Sequence, residues 1–287
     1  MTKSLIKLFT TSRPISWLNT AYPFAATYFI ISGKLDMIFW LGTLFFLIPY
    51  NLLMYGVNDV YDHESDIKNP RKNSIEGAVT DKNFHRVILQ ASLWLTAPFC
   101  IALLINGQLI NNLILLLSLF FVLAYSVPHL RFKEKPFVDS ITSALHFVTP
   151  MIYALSFFTW DSNYLYYIGA FFLWAMASHA FGAVQDIKPD KKAGIGSIAA
   201  VIGASRTVKF SISLYSLAAL LLIGAGTQAF AMALCCLLYI LNILPYASVS
   251  EDQAETSNAA WRRFIYLNYF TGFVLTLLLI VNELAWV

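Results

Sequence analysis

Residues 36–66 read "DMIFWLGTLFFLIPYNLLMYGVNDVYDHESD". The first two thirds are an apolar run long enough to cross a bilayer, which needs about 20 residues. The last nine, "NDVYDHESD", hold four acids: Asp59, Asp62, Glu64 and Asp66. The chain around them is 58% hydrophobic and only 12% charged, with a formal net charge of +3. Soluble domains are about 45–50% apolar and about 25% charged, so this composition points to a membrane protein. Negative charge concentrated at the end of one apolar run therefore asks for a reason.

Nine apolar runs are expected to span the membrane. They start near Ile15, Asp36, Phe84, Gln108, Phe137, Tyr164, Val208, Ala229 and Phe264. The expectation is an all-α integral membrane protein forming one domain over residues 1–287. The first run has no small-residue cleavage site after it and reads as retained. Cys100, Cys235 and Cys236 fall inside runs and read as packing residues. Nothing suggests a nucleic-acid partner.

With nine spans the loops alternate sides. Eighteen of the nineteen Lys and Arg residues fall on the N-terminal side, in loops or at adjoining helix ends, and only Lys34 falls on the other. Cytoplasmic loops carry the Lys/Arg excess, so the N-terminus is expected inside and the C-terminus outside. The acidic stretch then lies at the cytoplasmic face of a multi-pass cell-membrane protein.

Asn58, Asp62 and Asp66 recur every four residues, and Asp59 precedes Asp62 by three. A helix continuing through them places all four on one face. Like charges so close repel unless a cation joins them. A solvated helix end would mix signs, whereas here the bases wait until Lys68, Arg71 and Lys72. Hard oxygen donors suit Mg²⁺, which takes one or two carboxylates and completes its shell with water and phosphate oxygens. The pattern predicts a metal-diphosphate site.

A second pair, Asp186 and Asp190 in "QDIKPDKKAG", ends the sixth run and is again followed by bases, Lys191 among them. Pro189 lies between the two acids and is expected to disturb the helix. Each motif closes the second span of a four-span block, which reads as a weak internal duplication. Between the motifs, "YSVPHLRFKEKPFVD" at 125–139 offers Arg131 and Lys133 as candidate diphosphate ligands, beside Arg71, Lys72 and Lys191. Two histidines lie within spans. His179 is seven residues before Asp186, about 10 Å deeper on the same face. His146 is seven residues after Asp139. Either is a candidate proton acceptor, or a neutral hydrogen-bonding residue between helices.

These motifs, N-D-x-x-D-x-x-x-D at 58–66, D-x-x-x-D at 186–190 and "RPISW" at 13–17, resemble the UbiA superfamily of membrane prenyltransferases. "NDVYDHESDIKNPRK" and "GAVQDIKPDKKAGIGSIAAVIG" are similar to its lycopene elongase branch. The resemblance implies nine transmembrane helices around a central, lipid-accessible chamber. It implies two Mg²⁺ ions held by Asn58, Asp59, Asp62, Asp66, Asp186 and Asp190, with Arg13 and Lys133 on the diphosphate. It also implies transfer of a C5 group from dimethylallyl diphosphate to the ends of lycopene, giving C45 and then C50 carotenoids. Asp59, Asp62, Asp186 and His179 would be the catalytic residues. Many members carry a further Asp where this chain has Gly182. Two other readings are an aromatic or quinone-precursor acceptor and a secondary transporter. The second is disfavoured because transporters hold charged ligands near the midplane, not at helix ends.

Overall fold

The computed structural model describes residues 3–67 and 80–284, with the backbone alone at 65 and 282–284. Among the described residues there are helices, turns and loops but no strand. Arg71 and Lys72 lie outside the described residues. The chain divides into two compact units. One comprises residues Met1–Lys133 and Leu145–Trp160, the other Glu134–Ala144 and Asp161–Val287.

The first unit opens with α1 (Lys3–Thr11), a short amphipathic helix, and a 3₁₀ turn that leads into α2 (Leu18–Ser32). Gly33, in the left-handed region, closes α2. Asp36 caps α3 (Met37–Leu47) by accepting the Phe39 N–H at 3.0 Å. The helix breaks at Ile48 and resumes as α4 (Pro49–Tyr61), because Pro49 has no N–H to continue the ladder. The break exposes carbonyls at bilayer depth, where water cannot serve them. Asn51 Nδ2 donates to Phe46 O at 2.8 Å and to Leu47 O at 3.0 Å, and the Thr20 hydroxyl donates to Phe46 O at 2.7 Å. A Cβ on Gly42 would sit 2.1 Å from the Phe24 ring, so only glycine lets α3 approach α2 this closely. The short α5 (His63–Asp66) follows, then α6 (Lys82–Asn106) and α7 (Leu109–Ser126). Phe24, Phe46, Tyr50 and Tyr153 form the buried aromatic heart of this unit.

α8 (Val138–Leu155) begins in the second unit and ends in the first. The second unit continues with α9 (Tyr164–Val184), α10 (Ile187–Ala193), α11 (Ile198–Ile202), α12 (Ala204–Gly224), α13 (Phe230–Ile243) and α14 (Asn258–Leu284). α9 packs on α12 and α12 on α13, around Phe181, Tyr215 and Tyr239. Polar groups are paired inside this core. The Ser178 and Tyr215 hydroxyls lie 2.9 Å apart, and Tyr239 OH donates to Asn268 Oδ1 at 3.0 Å.

Seven helical segments among the described residues are long and apolar enough to span a bilayer. The other two of the nine expected runs are α2 and α8. α2 has 15 residues, about 22 Å at 1.5 Å per residue, against a hydrocarbon core of about 30 Å. α8 is long enough but carries Asp139, Ser140, Thr142, Ser143, His146 and Thr149, all buried.

Candidate active site

The first acidic motif keeps its helical register across a change of element. α4 ends at Tyr61, yet the Asp62 N–H donates to Asn58 O at 2.9 Å and the Asp66 N–H to Asp62 O at 2.8 Å. The four-residue spacing therefore survives as one face, as the sequence predicts. Asp59, Asp62 and Asp66 are all buried, at 5%, 6% and 9% exposure. Carboxylates buried this far require partners.

Three cations serve Asp59 and Asp62. Arg13 Nη2 donates to Asp59 Oδ1 at 2.6 Å, and its guanidinium lies 4.3 Å from the centre of the Tyr55 ring. Lys133 is ion-paired with Asp62 Oδ1, and Arg131 Nη2 is 3.7 Å from the same oxygen. Burial opposes the charge on Arg13, but Asp59 beside it, with Tyr55 and Asp66, raises its pKa above the ordinary arginine value. Asn58 Nδ2 donates to Asp62 Oδ2 at 2.7 Å and to Ser126 Oγ at 3.1 Å.

The cations are delivered by strained backbone. Among the described residues, four other than glycine have positive φ: Arg13, His129, Arg131 and Phe137. One is itself a ligand of Asp59, and the others lie in the loop that carries Arg131 and Lys133. Such conformations cost on the order of 1–3 kcal/mol each and persist where surrounding contacts enforce them.

In the second unit the helix breaks at the start of the second motif. α9 ends at Val184, and Asp186 is the N-cap of α10. Pro189 thus falls in the first turn of a new helix, where its missing N–H costs nothing. The Asp190 N–H still donates to Asp186 O at 2.9 Å. Asp190 Oδ2 accepts from Ser197 Oγ at 2.6 Å. Lys191 Nζ is held at 2.6 Å by Glu251 Oε2, on a half-exposed surface. Gly182 stands one turn before Asp186, and a Cβ there would meet the Trp261 ring at 3.0 Å. The departure from the Asp common at that position makes room for this indole.

The two histidines separate. His146 Nε2 is 3.0 Å from Phe121 O, and a carbonyl only accepts, so this nitrogen carries hydrogen and ties two helices together. His179 Nδ1 meets the Ser140 hydroxyl at 3.0 Å. Ser126, Ser140 and Ser197 carry no signal in the sequence, since each acquires its role from a residue on another element.

Among the described residues, no three His, Cys, Asp or Glu side chains gather closely enough to hold a metal by themselves. The donor set nevertheless fits Mg²⁺, which takes few carboxylates and draws the rest of its shell from water and phosphate. Asp59 Oδ2 is buried and accepts no hydrogen bond, leaving a hard oxygen for a cation. Arg13, Arg131 and Lys133 are already engaged by Asp59 and Asp62, so a polyanion binding there calls for further positive charge.

A membrane-embedded helical chain with paired acidic and basic residues at helix ends defines a class, and the comparisons name it. The model of the UbiA prenyltransferase family matches residues 20–280, and the chain belongs to that family. It is a multi-pass membrane prenyltransferase. It is 46% identical over 271 residues to a lycopene elongase/hydratase of Corynebacterium glutamicum, covering 94% of each chain. It is 43% identical to the C(50) beta-cyclic carotenoids biosynthesis protein LbtBC of a Dietzia species, over 98% of this chain and 66% of that one. Its fold is shared with a UbiA homologue from Archaeoglobus fulgidus solved with DMAPP and Mg²⁺. That likeness has a TM-score of 0.66 at 21% identity, over 93% of this chain and 99% of the other.

Proposed function

We propose that the chain, acting as a single prenyltransferase domain over residues 1–287, moves a dimethylallyl group from dimethylallyl diphosphate to the ends of lycopene. The products are C45 and then C50 carotenoids. The observation that carries the reaction type is the buried cluster of Asp59, Asp62 and Asp66 with Arg13, Arg131 and Lys133. The acceptor rests on kinship with the lycopene elongase/hydratase, and the donor on the chemistry of a five-carbon extension.

In this reading Asn58, Asp59, Asp62, Asp66, Asp186 and Asp190 hold two Mg²⁺ ions. When bound, Mg²⁺ neutralises the departing diphosphate. Arg13, Arg131 and Lys133 bind its oxygens, with Arg71 and Lys72 beyond the described residues. Lys191 joins them by exchanging Glu251 for phosphate. The allylic C–O bond breaks with its electron pair on the diphosphate. The apolar spans exclude water that would quench the cation. The terminal double bond of lycopene attacks, and His179 takes the proton that leaves. Lycopene has no polar handle, so shape and apolar contact recognise it from the surrounding lipid. The site opens toward the cytoplasmic face of the cell membrane.

The test is expression in a lycopene-producing host and mass spectrometry of the pigments. C45 and C50 products are expected. Unchanged lycopene, with robust prenylation of an aromatic acid by the same membranes, would overturn the acceptor and leave the prenyltransferase class intact.

A further inference from the structure

The geometry points to Ser140 as a positioning residue that sets the ring of His179 for proton removal. This rests on the reading of His179 as proton acceptor. Ser140 is fully buried at the start of α8, and its neighbour Asp139 is fully buried too. Asp139 Oδ1 accepts the Ser140 N–H at 2.6 Å. Asp139 Oδ2 accepts the Ile198 N–H at 2.7 Å, at the head of α11. Ser197, one residue earlier, donates its hydroxyl to Asp190. One short stretch, Ser197 and Ile198, thus ties the second acidic motif to Asp139, and Asp139 fixes the backbone of Ser140. The Ser140 hydroxyl reaches His179 Nδ1 at 3.0 Å.

A hydroxyl can donate or accept, so it serves the ring in either state. With Nδ1–H donating to Ser140 Oγ, the lone pair sits on Nε2, which is the tautomer a base needs. Once Nε2 has taken a proton, Nδ1–H must still donate, and the same oxygen accepts it. His146, whose Nε2 is committed to a backbone carbonyl, has no such arrangement at that nitrogen.

The step balances simply. The new C–C bond leaves a tertiary cation on the acceptor. A C–H bond next to it breaks, its electron pair forms the new double bond, and the proton goes to Nε2. Where no base is placed, a water oxygen forms the new C–O bond with its lone pair and passes one proton to a second water, giving a hydrated product. Ser140 therefore sets the partition between the two.

The experiment uses the full chain in detergent, with lycopene, dimethylallyl diphosphate and Mg²⁺. Ser140→Ala should cut kcat by roughly tenfold or more, leave the donor KM within about twofold, and lower the ratio of alkene to hydrated product. His179→Gln should lower the same ratio. The double variant should fall no further, as expected of residues acting as a unit. Ser140→Thr, which keeps the hydroxyl, should restore the ratio, and thermal melting in detergent checks that each variant is folded. An unchanged ratio in Ser140→Ala would overturn the inference, as would additive losses in the double variant or a wild-type product that is wholly hydrated. If lycopene is not extended but another acceptor is, the acceptor reading fails, and non-additivity measured with that acceptor still decides the role of Ser140.

Discussion

Asp62 is the residue on which most of the first motif converges, since Lys133, Arg131 and Asn58 all contact it. Removing its charge leaves two cations facing one another around a neutral group. Breaking a buried ion pair by deleting one partner costs about 3–5 kcal/mol. Asp62→Ala is therefore expected to abolish turnover and to lower the melting temperature in detergent. Asp190→Ala loses the hydrogen bond from Ser197 and should abolish turnover while the protein still folds. Excess EDTA should stop the wild type without altering the fold, which circular dichroism would verify. Full activity in EDTA or in either variant would sink the metal-diphosphate assignment. The spacing of the acids was legible in the sequence because the four-residue hydrogen-bond register runs on from α4 into α5. Their partners were only partly legible: Arg13 meets Asp59 across 46 residues, and nothing in the local pattern selects that pair.

At the scale of the element, the notable feature is how breaks in helices are placed. Pro49 interrupts the span leading to the first motif, and Asn51 and Thr20 repair the freed carbonyls. Pro189, expected to disturb the second motif, lies in the first turn of α10, just after the helix has broken at Gln185 and Asp186. Propensity marks a proline as a disruption, and only the placement of helix ends says whether anything is lost. Gly182 tests the same logic in α9. Gly182→Asp would press a side chain against the Trp261 ring, and overpacking of this kind costs about 1–3 kcal/mol. A lower melting temperature is expected, relieved when Trp261→Ala is added. A Gly182→Asp variant that melts like the wild type would show that the indole gives way freely.

At the scale of the whole molecule, the distribution of basic residues makes a topological statement. Eighteen of nineteen lie on one side of the proposed nine crossings, α2 and α8 included. Reporter fusions at residue 287 are therefore expected to work only when the reporter is active outside the cytoplasm, and fusions near residue 1 only inside. A cytoplasmic C-terminus would mean an even number of crossings. α2 is then the segment to doubt first, because at 15 residues it depends on the preceding 3₁₀ turn for its reach.

What the sequence determined by itself is whatever depends on neighbours along the chain. Apolar runs specify spanning helices, since a bilayer leaves the backbone few other ways to satisfy its own hydrogen bonds. Four-residue spacing specifies a shared face, and the motifs suffice to place the family. Only the tertiary structure decided which cation meets which carboxylate, that His146 is tied to a carbonyl while His179 meets a serine, and that an indole fills the space above Gly182. Each of these is a contact between residues far apart in sequence. Packing several helices together brings them within 3 or 4 Å, and no periodicity within one helix encodes a partner on another.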